Sequence, residues 1–124
     1  MLTELTIKDF ISKVISNDPV PGGGSVSALN GALAAALSAM VANLTVGRKK
    51  YVEVNDLMQE LSARFEKLSQ KLIEDVDRDS DAYNRVFAAF KLPKETDEEK
   101  QVRNEAIQRE TKYAAQVPME VARA

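Results

Sequence analysis

Acid–base chemistry in this chain has few residue types to draw on. Among 124 residues there is no histidine and no cysteine. Imidazole–hydroxyl triads, thiolate nucleophiles, disulfides and zinc held by histidine or cysteine are therefore excluded. Proton transfer must fall to carboxylates, lysine or tyrosine. The carboxylates crowd one section: Glu74, Asp75, Asp77, Asp79 and Asp81. Stepped at about 100° per residue, Asp75, Asp77 and Asp81 point away from the apolar stripe of their helix. Asp79 falls instead in the angular gap between Leu68 and Val76, beside Ser80. A carboxylate there is either paired with a cation or has a raised pKa, and both conditions recur at active sites. The alternative is a solvated acidic turn. A second group is Gly22-Gly23-Gly24-Ser25, directly before a helix, where free backbone N–H groups and the positive dipole end favour a polar or anionic ligand. It is neither a P-loop nor a dinucleotide fingerprint. Three glycines where one would turn the chain suggest close approach of something to the backbone, with Gly23 the central candidate; a flexible connector is the plainer reading. Third, Arg48-Lys49-Lys50 follows Gly47, either complementing a helix C-terminus or holding an anionic substrate.

The elements that must position these groups are helical. Thr6 caps a first helix, about Thr6 to Ser16, in which Ile7, Phe10, Ile11, Val14 and Ile15 share one stripe. Two prolines and three glycines from Pro19 to Gly24 force an irregular loop. A second helix, about Ser25 to Val46, contains no charged residue. Its length would suit a bilayer. Its alanine, glycine, serine and asparagine content gains little from lipid, so it reads as the buried central helix of a bundle. Val26, Leu29, Leu33, Leu37, Met40, Val41 and Leu44 form a broad greasy face. Ala28, Ala32, Ala36 and Ala39 form a small-residue face suited to close helix approach, which a homodimer would bury. Ser27, Asn30, Ser38 and Thr45 form a narrow polar stripe, explained either by back-bonding within the helix or as the lining of a ligand pocket or polar subunit interface.

A third, long helix spans about Val52 to Phe90 and carries Leu57, Met58, Leu61, Phe65, Leu68, Leu72, Val76, Tyr83, Phe87 and Phe90 as its stripe. Leu92-Pro93 ends it. Thr96 and Glu99 form a capping box for the last helix, in which Pro118 should cause a kink or restart. No segment reads as a strand, so the fold class is all-α: a helical bundle with a central uncharged alanine-rich helix, completed by dimerisation. Hydrophobic residues at 44% suffice for a core, and a formal net charge of −2 leaves no basic excess for nucleic acid. Met1–Asn17 is charged and amphipathic, unlike a signal peptide, and absence of cysteine fits a reducing compartment. The chain is read as cytoplasmic.

The order of motifs is more specific than any one of them. Pro19-Val20-Pro21-Gly22-Gly23-Gly24-Ser25-Val26-Ser27-Ala28-Leu29 opens the uncharged helix. Leu44-Thr45 and Gly47-Arg48-Lys49-Lys50-Tyr51 close it. Asp79-Ser80-Asp81-Ala82-Tyr83, Leu92-Pro93-Lys94 and Arg103 with Ala106-Ile107-Gln108 follow. This arrangement resembles the formiminotransferase-cyclodeaminase family, in its cyclodeaminase and methenyltetrahydrofolate cyclohydrolase domain. The resemblance implies a helical, dimeric folate enzyme. It implies that residues 1–124 are the N-terminal part of a longer family domain. Because the chain starts just before the matching segment, it implies a stand-alone protein of bacterial or archaeal type rather than a fusion behind a transferase.

On this reading the reaction is cyclodeamination of 5-formiminotetrahydrofolate to 5,10-methenyltetrahydrofolate with loss of ammonia. Methenyltetrahydrofolate cyclohydrolase is the alternative, and a non-catalytic helical folate-binding or assembly module a second. Asp79 and Lys49 are the candidate catalytic residues. Gly22, Gly23, Gly24, Ser25, Ser27, Asn30 and Tyr83 are candidates for binding substrate, with Lys49 and Lys50 suited to the glutamate tail. No metal and no cofactor beyond the tetrahydrofolate substrate is expected, and no nucleic-acid or membrane partner.

Overall fold

The computed structural model describes residues 1–124. It contains helices and no strand, in agreement with the all-α expectation. A short 3-10 turn at Leu2–Glu4 precedes α1 (Ile7–Ile15), α2 (Gly23–Thr45), a second 3-10 turn at Lys49–Val54, α3 (Asn55–Phe90) and α4 (Asp97–Arg123). The caps are those the sequence announces. Thr6 accepts from Asp9 N–H, and Thr96 and Glu99 close a reciprocal capping box on α4. Gly47, at φ +80°, takes the left-handed conformation that stops α2, and its N–H donates to Asn55 Oδ1 at 2.9 Å.

α2 and α3 are antiparallel neighbours. Ser25 meets Val76, Ser69 Oγ donates to the Ala32 carbonyl at 2.9 Å, and Ser62 meets Asn43 farther along. What lets the axes approach is the small-residue seam of α2: Ser25, Ala28, Ala32, Ala35, Ala39 and Ala42 are buried at three- and four-residue spacing. Ala36, assigned to this face from the sequence, is exposed, while Ala35 and Ala42 complete it. The alanine face is thus covered by α3 of the same chain, not by a second chain. α2 is buried on this side only. Leu33, Leu37, Met40, Val41 and Leu44 are 49–60% exposed, with α1 reaching only the Leu33 end of this face.

α4 returns antiparallel along α3. Arg103 Nε reaches the Phe90 carbonyl, Arg85 pairs with Glu110 at 2.9 Å, and Arg78 pairs with Glu120. The interhelix core here is small: Ala82 and Ala89 of α3 with Ala106 and Val117 of α4 are buried. Tyr83, Phe87 and Phe90, expected in the core stripe, instead face outward. α4 runs through Pro118 without restarting. Fully buried Val117 and the Glu120–Arg78 pair hold the turns on either side of the missing N–H. Asp75, expected to point outward, is 1% exposed. Its two oxygens are taken by Lys71 at 3.1 Å and Arg78 at 2.9 Å, which offsets the cost of burying a carboxylate. At the N-terminal end of α2, Leu2, Phe10, Ala28 and Val76 form a compact cluster. Asp77 accepts from the Leu2 N–H at 2.7 Å and from the Thr3 hydroxyl, tying the first turn to α3.

Candidate active site

Asp79 and the glycine loop, 55 residues apart in sequence, come together where α2 begins against the middle of α3. The loop Asn17–Gly22 brings the chain back from α1, with Val20 N–H held by Asp18 Oδ1 at 3.0 Å. Gly22 is the N-cap of α2 and has no side chain to satisfy the first free N–H groups. Asp79 supplies the acceptor from α3 through the Ser25 backbone and hydroxyl. The approach requires glycine at one position. A Cβ built on Gly24 would overlap the Asp79 carboxyl group, whereas one on Gly23 meets nothing and one on Gly22 lies 3.3 Å from the Pro19 carbonyl oxygen. Within the chain, the glycine that must lack a side chain is Gly24, which faces α3; Gly23 faces solvent, where only a ligand would meet its Cβ.

Ser25 is fully buried. Its hydroxyl lies 2.7 Å from the Val76 carbonyl, 2.8 Å from Ser80 Oγ and 3.4 Å from Asp79 Oδ2. A hydroxyl has one proton to give; Ser80 donates to Ser25, the short bond to Val76 dominates, and the 3.4 Å contact gives Asp79 only a weak share of that proton. Asp79 is left with weak neutral partners and no ion pair. Desolvation therefore dominates and pushes the Asp79 carboxyl above its ordinary value, against the opposing hydrogen bonds from the Ser25 side chain and backbone. A half-buried carboxyl raised by desolvation, placed at a helix N-terminus, is suited to proton transfer and can face a cationic ligand.

The other candidates sort by position. Tyr83 stands one helical turn from Asp79 on α3 and is 39% exposed, within reach of the same region. Ser27 lies in a shallow groove with Gly31, Ala34 and Ser38. Asn30 lines a separate apolar cleft toward α1. Neither joins the Asp79–Gly24 contact. Of the rest of the polar stripe, Ser38 and Thr45 bond back to the Ala34 and Val41 carbonyls at 3.0 and 2.8 Å, the plain intrahelical explanation. Lys49 lies beyond the far end of α2, a helix of 23 residues and hence about 35 Å long. One chain does not bring Lys49 or Lys50 to Asp79. Two structural carboxylates escaped the helical-wheel reading, Asp75 with its paired cations and Asp77 with its grip on the first turn. Lys71 and Arg78, four residues before and three after Asp75, were the available sign of the first. Nothing in the sequence signals the second.

A model of the formiminotransferase-cyclodeaminase family matches residues 6–124. The chain belongs to the formiminotransferase-cyclodeaminase family. It is 43% identical over 114 residues to a methenyltetrahydrofolate cyclohydrolase of Methylorubrum extorquens, covering 92% of this chain and 55% of that protein. It is 36% identical over 121 residues to the formimidoyltransferase-cyclodeaminase of Rattus norvegicus, covering 98% of this chain and 22% of that one. The crystal structure of a formiminotetrahydrofolate cyclodeaminase from Thermotoga maritima superposes with a TM-score of 0.82 at 34% identity, over 99% of this chain and 57% of that chain. The chain thus spans about half the length of the cyclohydrolase and of the cyclodeaminase structure.

Proposed function

We propose that this chain forms the part of a folate enzyme that carries the proton-transfer carboxylate, and that the reaction is cyclodeamination of 5-formiminotetrahydrofolate. The observation that carries the reading is the convergence of Asp79 with Gly24 and Ser25 at the start of α2, supported by the family relationship. In this reaction N10 attacks the formimino carbon, a ring closes and ammonia leaves. One proton must come off N10 and one must reach the departing amine. Asp79, held half-buried without a counter-ion, is suited to relay that proton. In its ionised form it stabilises the amidinium charge of the methenyl product. The exposed loop leaves room for ligand over the first turn of α2. The chemistry needs no metal and no cofactor other than the folate itself.

Hydrolysis of the methenyl bridge is a second reading, favoured by the 43% identity to the cyclohydrolase; there the same carboxyl would activate water. In keeping with the helix packing, we read α2 as a packed helix rather than a membrane span and place the reaction in the cytoplasm. A homodimer, covering the open leucine face, belongs to the proposal. Lys49 would act on the ligand only if a second chain supplied it. The deciding measurement is absorbance of the methenyl chromophore. Rise of the chromophore from formiminotetrahydrofolate supports the first reading, and its decay from methenyltetrahydrofolate supports the second. No change with either substrate would remove the enzymatic reading.

A further inference from the structure

One turn beyond Asp79, α3 carries an aromatic row that the fold does not use. Tyr83 and Phe87 are 39% and 48% exposed, with ring centroids 6.0 Å apart and planes inclined by 33°. Lys91 places its ammonium 5.4 Å from the centre of the Phe87 ring. Pro19 and Val20 of the glycine-loop approach form the opposite wall, and the trough between holds about 360 Å³, within the range of small-ligand sites, which runs from about 300 to 1,000 Å³.

The charges along it are simple. Asp18 at the rim is engaged by Val20 N–H at one oxygen and by Lys13 at the other, 4.0 Å away. Lys91 has no carboxylate partner. From Asp79 through Tyr83 and Phe87 to Lys91 the row advances by steps of four residues, about 18 Å in all. It thus offers, in order, a half-buried carboxyl, two aromatic faces and an unpaired cation.

We propose that this trough binds the aminobenzoyl-glutamate arm of the folate, its flat ring against Tyr83 and Phe87 and its carboxylates at Lys91. The inference rests on the folate reading above and adds Phe87 and Lys91 to the substrate contacts. Aromatic faces reward a flat ring and exclude water from it. An ammonium without a partner rewards an anion in a salt-dependent way. Anchored so, the ligand's one-carbon bridge falls toward the Asp79 end of the row, and the end of the arm toward Lys91.

Calorimetric titration of the whole chain tests this with three probes: 5-formyltetrahydrofolate, N-(4-aminobenzoyl)glutamate and a tetrahydropterin without the arm. Lys91→Gln should weaken both glutamate-bearing probes by about tenfold at low salt and flatten their salt dependence. It should leave tetrahydropterin binding unchanged. Phe87→Leu should weaken the same two probes about fivefold. Lys67→Gln, on a remote face of α3, should change nothing. Normal binding of aminobenzoylglutamate by both trough variants would overturn the proposal, as would equal weakening of the arm-less pterin. If the chromophore assay shows turnover while the variants bind normally, the trough is wrong and the reaction stands. If binding depends on the arm and on Lys91 but neither substrate turns over, the trough stands and the reaction reading falls. Absence of all folate binding removes both.

Discussion

Asp79 carries opposite consequences for stability and for function. Its carboxyl is raised mainly by desolvation, so the folded chain holds that proton to higher pH than the unfolded chain does. Stability from this group is greatest where the proton is bound and declines as pH rises from the ordinary carboxylate range through the raised value. Asp79→Asn should remove that decline and leave thermal stability at neutral pH equal or higher, since Asn still accepts from the first turn of α2. Turnover should fall by about two orders of magnitude. Thermal melts across pH 4–8 and the chromophore assay measure the two effects separately; a variant that keeps its turnover would reduce Asp79 to a cap for α2. The neighbouring glycines give a second contrast. Gly24→Ala forces the Asp79 carboxyl aside and should lower kcat at least tenfold, whereas Gly23→Ala, with open space around it, should keep kcat and thermal stability and raise KM, because its Cβ enters the room left for ligand. Steady-state kinetics of the two alanine variants decides between them.

Among the elements, α2 tests the packing most directly. Ala35 is 4% exposed against α3, while Ala36 one step round the helix is exposed. Ala35→Leu should cost roughly 1–3 kcal/mol by overpacking, and Ala36→Leu close to nothing; urea unfolding followed by circular dichroism reads both. The sequence carried the helices, the caps at Thr6 and Thr96, the stop at Gly47 and the place of Asp79 beside Ser80, because periodicity and capping chemistry are local. It did not carry which neighbour covers which face. The alanine stripe marks a close approach but not its partner, and so it read as a subunit contact although α3 occupies it. Tyr83, Phe87 and Phe90 keep the apolar register of the core, yet the contact with α4 is made by Ala82 and Ala89, because small residues bring the helices closer. Asp75 read as solvated because a helical wheel assigns a face without weighing the cations that neutralise it. Within one chain Lys49 stands a helix length from Asp79, a distance that charge and spacing do not encode.

For the molecule as a whole, the alanine side of α2 is closed and the leucine side is open. Leu33, Leu37, Met40, Val41 and Leu44 leave one apolar face open to water, the kind of patch that marks an interaction site, and the expected state is a homodimer joined through it. Light scattering at micromolar concentration should give twice 13.7 kDa, and Leu37→Glu with Leu44→Glu should return the monomer; a wild-type monomer at that concentration would contradict the expectation. The N-terminal attachment has a further outcome. α1 keeps only Phe10 buried, with Ile7 and Ile15 about 80% exposed, and the segment before it is moored by Asp77. Such a lightly held unit should open before the rest of the fold does. A protease admitted at low dose should therefore cut first between Ser16 and Gly22 and leave α2 to α4 whole. Because that same stretch is the approach to the glycine loop, folate affinity should vanish from the nicked protein while its helical signal persists, and the chain would lose its ligand well before it loses its shape.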